Sequence, residues 1–282
     1  MNWSVALRLG RVSNLPTVTS NVLAAIALAG VSASRTTVVG LCVALSMMYV
    51  AGMFLNDFFD REIDGVERPE RPIPSGQVNA AAVFDVGFGL LGGGVVMIGV
   101  LAYATDAGWR PVIAAIALAS LIIFYDAYHK RNPLAPFVMG LCRAGVYVTA
   151  ALCVQAELTP ALWLGIAALI AYLIGLTYIA RHENMLTFDG VWPLIFLAVP
   201  FGAALPRTGL AIAIYIALFV WIVRALGLLA RRRIRDAVVS LIAGISLVDA
   251  LWIARADHPA MAVAALACFV LTNLLQRVVP GT

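Results

Sequence analysis

Ten apolar runs, each close to the roughly 20 residues that carry an α-helix across a bilayer, follow one another at about 14–32, 38–58, 80–103, 111–127, 136–154, 159–180, 189–206, 209–229, 237–254 and 260–277. None alternates apolar with polar residues, so they predict helices and not the strands of a barrel. A bilayer core tolerates only those two forms, because every backbone polar group must find an internal partner. The expected fold is an all-α, polytopic transmembrane helical bundle of nine or ten spans, forming one domain over residues 1–282. Composition agrees, with 62% of the 282 residues hydrophobic and 12% charged, against about 25% charged in a soluble domain. A soluble globule is excluded, and membrane lipids are expected around the chain. The net charge of +4 is too small for a nucleic-acid footprint, so no nucleic acid is expected as a partner. Cys42, Cys142, Cys153 and Cys268 lack C-x-x-C spacing and the three histidines are scattered, which argues against a protein-ligated transition metal. The first run resembles a signal core in its flanks but is long enough to span, and is read as the first helix. Gly87, Gly89, Gly92, Gly93 and Gly94 in the third run are read as sites of close helix packing.

Charge placement gives sidedness. If both termini share one face, fifteen of the nineteen Lys and Arg residues fall there: Arg8, Arg11, Arg61, Arg68, Arg71, Lys130, Arg131, Arg143, Arg181, Arg224, Arg231, Arg232, Arg233, Arg235 and Arg277. The other face keeps Arg35, Arg110, Arg207 and Arg255. By the positive-inside rule the richer face is cytoplasmic, which predicts a multi-pass protein of the inner (cytoplasmic) membrane with the loops after even-numbered spans in the cytoplasm. The dense run Arg231 to Arg235 needs no more than this bias and anionic headgroups.

Acidic residues are the informative minority, since six of the fifteen fall between positions 57 and 70 at the end of the second run. At about 100° per residue, Asp57, Asp60 and Asp64 share an arc of roughly 60° on a helix, while Glu62 points elsewhere. Like charges on one face repel unless a cation neutralises them. An oxygen-only donor set suits Mg²⁺, which keeps waters and commonly bridges to phosphates. The alternative is a solvated acidic loop at a helix end. Asn21 and Asn56 are polar groups at or inside the membrane, candidates for ordering a carboxylate or a substrate oxygen or for helix–helix hydrogen bonding. Asp126 either contacts substrate or pairs with Lys130 one turn on. Asp249, within the ninth run, has no assigned role.

Asn56-Asp57-x-x-Asp60-x-x-x-Asp64, followed by Arg68-Pro69-Glu70-Arg71-Pro72-Ile73-Pro74-Ser75-Gly76, resembles the first aspartate-rich motif and the R-P-[IL]-x-x-G segment of the UbiA superfamily of intramembrane prenyltransferases. The resemblance begins at Arg11-Val12-Ser13-Asn14-Leu15-Pro16 with Asn21, runs through the sixth helix, and is strongest between residues 52 and 76. Tyr125 to Lys130-Arg131 is similar to the family's tyrosine and basic pair. After the sixth run the family carries a second aspartate motif, and this chain departs from it, with Tyr178-Ile179-Ala180-Arg181-His182-Glu183-Asn184 and then Asp189. The Tyr125-Asp126-Ala127-Tyr128-His129-Lys130 and Ala180-Arg181-His182-Glu183 segments resemble the EboC-type branch, for which a polar cyclitol or sugar-like acceptor is plausible.

The resemblance implies an enzyme that moves a prenyl chain from an isoprenyl diphosphate to a small-molecule acceptor. Mg²⁺ on Asp57, Asp60, Asp64, Glu183 and Asp189 would hold the diphosphate, with Lys130, Arg68, Arg71, Arg131 and Arg181 around it. Tyr125 and Tyr178 would shield the allylic cation. Asn21, Asn56 and Asp126 would complete substrate binding. The acid cluster, the Lys-Arg pair and Glu183 follow spans two, four and six, so the topology puts all three at one membrane face. A transporter or lipid-binding protein using the same carboxylates for ions is the competing class, marked by inverted repeats and mid-span acids. A CDP-alcohol phosphatidyltransferase would need a D-G-x-x-A-R motif that the chain lacks.

Overall fold

In a computed structural model that describes residues 1–130, 132–155, 157–181 and 192–279, with backbone alone at Arg181, the apolar runs are helices. Helix α1 (Trp3–Leu9) precedes a 3-10 turn, Val12–Asn14, which leads into α2 (Leu15–Ala29). Then come α3 (Arg35–Phe59), α4 (Arg61–Glu67), α5 (Ala80–Ala104), α6 (Arg110–Tyr128), α7 (Ala135–Leu152) and α8 (Pro160–Arg181). After the undescribed stretch, a 3-10 helix Trp192–Ala198 and α9 (Val199–Ala203) lead to α10 (Gly209–Ala230), α11 (Ile234–Arg255) and α12 (Pro259–Leu275). Polar caps set several starts: Ser34, Asn79 and Thr208 accept backbone N–H bonds at the heads of α3, α5 and α10. Gly30 ends α2 in the left-handed region, φ 75°, where a side chain would be strained.

Eight helices among the described residues are long and apolar enough to cross a membrane. Two of the predicted spans come out shorter. The run at 189–206 is, where described, a 3-10 segment followed by one turn and a half of α-helix; Pro193 and Pro200 remove backbone donors there and interrupt a continuous ladder. The last run is a helix of 17 residues, about 25 Å at 1.5 Å per residue, slightly less than the ~30 Å hydrocarbon layer.

Two helices form the centre. Within the membrane-length segments, 89% of α11 and 78% of the α2 segment are buried, against 22% for α6 and for α10. The outer helices therefore turn most of their apolar surface to lipid. Glycines set the closest approach: a Cβ on Gly94 of α5 would stand 2.5 Å from Met48 Cγ of α3, and one on Gly87 would stand 2.8 Å from Leu55. Gly89 and Gly92 have open space instead, so the packing expectation holds for only part of that glycine run. Helices α2, α3, α6, α7, α8 and α11 surround a cavity of about 230 Å³, the feature that positions everything below.

Candidate active site

The helical path runs almost unbroken through the acidic segment. Asp60 caps α3 with α-helical backbone angles, its N–H donates to Asn56 O, and Asp64 N–H donates to Asp60 O at 2.8 Å. The seven-residue spacing puts Asp57 and Asp64 within about 20° of each other, with Asp60 turned some 40° further round. The contacts follow that angle. Asp57 Oδ1 and Asp64 Oδ2 converge on a single nitrogen, Arg71 Nη1, at 3.2 and 2.8 Å. Asp60 Oδ2 instead meets the end of α6, 3.4 Å from both Lys130 Nζ and His129 Nε2. The three acids share a face as predicted, but they divide between two sets of cations. Burial pushes the Asp60 carboxyl up, and His129 with Lys130 outweigh it, leaving the group below its usual carboxylate value.

All three acids are buried, Asp64 most of all at 1% exposure, and Asp64 Oδ1 has no hydrogen-bond partner. A solvated acidic loop is therefore not what the structure places here; Glu62, exposed and paired with Arg61, is the side chain that fits that description. Arg11 joins from the start of the first span. Its backbone is left-handed, φ 43°, a conformation costing on the order of 1–2 kcal/mol for a residue with a side chain. From there Nη2 lies 3.6 Å from Asp57 Oδ1 and donates to Asn56 Oδ1 at 3.5 Å.

Asn56 passes the connection to α6, its Nδ2 donating to Asp126 Oδ1 at 3.3 Å. Asp126 thus pairs with Asn56 and not with Lys130, which is drawn to Asp60. Tyr125 stacks on His129, ring centroids 5.0 Å apart, and lines the cavity together with Arg11 and Asp126. Beyond this polar mouth the walls are apolar: Leu45 and Met48 of α3, Leu118 of α6, Val146 of α7, Leu173 of α8 and Ile245 of α11. Helix α8 contributes Thr177 and Ala180 to the wall; Tyr178 is half-buried and is not among the lining side chains. Arg68 closes α4 through its backbone, and no ion pair ties it to another described residue. Arg131, Glu183 and Asp189, and the Arg181 side chain, lie outside the described residues.

Asn21 is placed elsewhere than predicted. It is fully buried and accepts from Arg143 Nη1 at 2.8 Å while its Nδ2 donates to Asp249 Oδ2 at 2.8 Å. Of its two readings, helix–helix bonding is the one the geometry supports. Ser20 also donates to Asp249 Oδ2, and Tyr147 donates to Asp249 Oδ1, both at 2.5 Å. Asp249 is thereby explained as the centre of a network joining α2, α7 and α11. Arg143, counted above with the cytoplasmic basic residues, lies inside α7, buried and facing Tyr49 with its guanidinium 5.2 Å from the ring centroid. A charge in the middle of an apolar run was the available signal for it. Arg11 and His129 carry no role that the sequence pattern reveals, because only the fold brings them to the acids.

The carboxylates fit a hard divalent cation. Two aspartate oxygens already converge on one cationic atom, and a third, Asp64 Oδ1, lacks a partner. Mg²⁺ typically takes one or two carboxylates and leaves its other positions to water and phosphate. Among the described residues, no three acidic, imidazole or thiol groups stand together as a complete protein-only cage.

A family model for the UbiA prenyltransferase family matches residues 14–274. Digeranylgeranylglyceryl phosphate synthase from Methanopyrus kandleri is 32% identical over 133 residues, covering 47% of this chain and 46% of that protein, so the match spans about half the length of the relative. In fold, the chain is similar to a structure described as giving structural and mechanistic insight into digeranylgeranylglyceryl phosphate synthase in membranes, with a TM-score of 0.59, 16% identity and coverage of 93% and 98%. It is also similar to the apo structure of a UbiA homolog from Aeropyrum pernix K1, with a TM-score of 0.53, 16% identity and coverage of 93% and 97%. At that identity the structural likeness speaks for the fold alone.

Proposed function

Because the chain belongs to the UbiA prenyltransferase family, we propose that it is an integral membrane enzyme transferring an isoprenyl group from an isoprenyl diphosphate to an acceptor, with Mg²⁺, at a mouth facing the cytoplasm. The observation that carries this reading is the junction of a buried, acid-rich mouth with an apolar cavity. An amphiphile with a phosphate head and a hydrocarbon tail matches both environments. The concentration of Lys and Arg on the face that bears the mouth supports the cytoplasmic side. The family's relatives named as digeranylgeranylglyceryl phosphate synthases support a long isoprenyl donor.

Asp57 and Asp64 would hold the metal, with Asp60 beside them; Glu183 and Asp189 are the proposed ligands of a second ion. When bound, Mg²⁺ supplies positive charge that neutralises the diphosphate and makes it a better leaving group. The chain's own cations do the rest of the anchoring. Arg71, which bridges Asp57 and Asp64, would be at hand for phosphate oxygens, and Lys130 would meet the same group from the end of α6. Arg11 and Asn56 keep Asp57 oriented. Tyr125, held flat against His129, faces the reacting carbon and offers its ring to developing positive charge. The apolar wall excludes water from that carbon.

Transport of ions by mid-span acids has little support, since Asp249 is fully buried with both oxygens hydrogen-bonded. The test is to incubate purified protein with a series of isoprenyl diphosphates, with and without Mg²⁺, measuring binding and diphosphate release. Metal-dependent binding that disappears in Asp57→Asn/Asp60→Asn supports the proposal. Binding indifferent to metal and to both substitutions would overturn it.

A further inference from the structure

Among the described residues, Asp126 is the one carboxylate that lines the cavity, it is 3% exposed, and only half of it is used. Oδ1 accepts from Asn56, whereas Oδ2 has no hydrogen-bond partner. Residue 52 on the facing helix is glycine; a Cβ there would press on Ile122 at 3.0 Å and come into ordinary contact with Asp126 Oδ2 at 4.0 Å, so a larger side chain would crowd that atom. A buried carboxylate oxygen left without a donor is unfavourable, and a cavity that presents one is completed by a ligand that donates a hydrogen bond.

Charge narrows the ligand further. The two arginines in the cavity wall are each already matched to a carboxylate. Arg11 lies against Asp57, and Arg143 reaches Asp249 through Asn21, which binds both. No ion pair is found for Asp126 among the described residues. The described wall therefore holds no surplus positive charge, and an anion placed in it would sit beside an uncompensated acid in a poorly screened medium.

Resting on the prenyl-transfer reading above, we propose that Asp126 Oδ2 binds the hydroxyl of an uncharged alcohol or polyol acceptor and takes its proton during transfer. The acceptor oxygen forms a bond to C1 of the prenyl group, and the bond from C1 to the diphosphate oxygen breaks with its electron pair leaving on diphosphate. The hydroxyl proton passes to Asp126 Oδ2 and then to water at the mouth. The product is a neutral prenyl ether. This assigns the acceptor a place in the cavity wall of α6, apart from the acids that hold the donor's head. It also separates this chain from relatives whose name specifies a glyceryl phosphate.

The experiment uses the full chain in lipid nanodiscs with Mg²⁺ and geranylgeranyl diphosphate, and offers glycerol, myo-inositol and a monoacylglycerol as neutral probes. Glycerol 1-phosphate and 4-hydroxybenzoate are the anionic probes. Donor affinity is read by equilibrium binding and ether formation by mass spectrometry. At least one neutral probe is expected to be alkylated about ten times faster than either anion. Asp126→Asn is expected to lower ether formation about 100-fold, the usual range for loss of a positioned base, with donor affinity and thermal stability within twofold and a degree or two of the parent. Asp126→Glu should recover part of the rate, which a merely structural role would not require. Donor binding together with faster alkylation of an anion, with no ether from any neutral probe, or with an undiminished rate in Asp126→Asn overturns this inference alone. Failure to bind the donor overturns the prenyl-transfer reading itself.

Discussion

Among the described residues two polar networks are buried in the bundle, and they are finished to different degrees. The deep one joins Asp249, Ser20, Asn21, Tyr147 and Arg143, and each Asp249 oxygen accepts at least one side-chain hydrogen bond. The one at the mouth brings Asp57, Asp60, Asp64 and Asp126 against Arg11, Arg71, His129 and Lys130, and it leaves Asp64 Oδ1 and Asp126 Oδ2 without partners. A completed network fixes a helix arrangement; an incomplete one, in the same low dielectric, is ready for ligands. On the proposed function, the contrast separates residues that hold the bundle from residues that would do chemistry in it.

The largest expected effect lies at the mouth. Asp57→Asn combined with Asp64→Asn should reduce prenyl transfer by roughly 1000-fold, the equivalent of about 4 kcal/mol of lost charge stabilisation. A steady-state assay of diphosphate release checks this, and a loss below tenfold would erase the distinction between the regions. In the deep network the loss should be one of stability. Asp249→Ala leaves Arg143 buried without its compensating charge and should destabilise the protein by about 3 kcal/mol, seen as a lower unfolding temperature in detergent. Tyr147→Phe removes one hydrogen bond from the same centre and should cost about 1 kcal/mol with prenyl transfer unchanged.

A pH experiment sharpens the comparison. Asp60 sits below its usual value because His129 and Lys130 outweigh burial, so its contribution to stability is present above the unfolded carboxylate value and is lost as pH falls through the depressed one. In His129→Ala/Lys130→Ala burial acts nearly alone, the folded value rises above the unfolded one, and the sign reverses: that variant should gain stability from Asp60 on acidification. Unfolding temperatures across the acid range distinguish the two slopes. The smallest effect belongs to Glu62→Gln, at an exposed side chain paired with its neighbour Arg61, which should change stability by less than about 0.5 kcal/mol.

The spans could be read from the sequence because each is set by a local property, an apolar run of sufficient length. The run at 189–206 reads as a continuous helix in hydropathy, which does not register what Pro193 and Pro200 do to a hydrogen-bond ladder, and its described part is broken into a 3-10 and an α segment. Asp57, Asp60 and Asp64 were legible from helical spacing, and even their unequal treatment follows from the angles. Which cations meet them was not. Arg71 is local to the acids, but Arg11 and His129 arrive from other helices, and a one-dimensional pattern does not specify contacts across 46 or 69 positions. Asn21 and Asp249 carried a mid-membrane polarity signal without a partner's address; only their meeting across 228 positions gives it meaning.

On the proposed function, the mouth holds a diphosphate while the adjoining cavity holds the hydrocarbon attached to it. The most direct measurement is photo-crosslinking with an isoprenyl diphosphate that carries a photoreactive group at its tail, in the presence of Mg²⁺, followed by peptide mapping. Labels on the cavity walls of α6 and α7, at Leu118, Ile122 or Val146, and their loss when Asp57 and Asp64 are replaced, are the predicted result. Labels confined to the lipid-facing surfaces of α5 or α10, unaffected by those replacements, would contradict it.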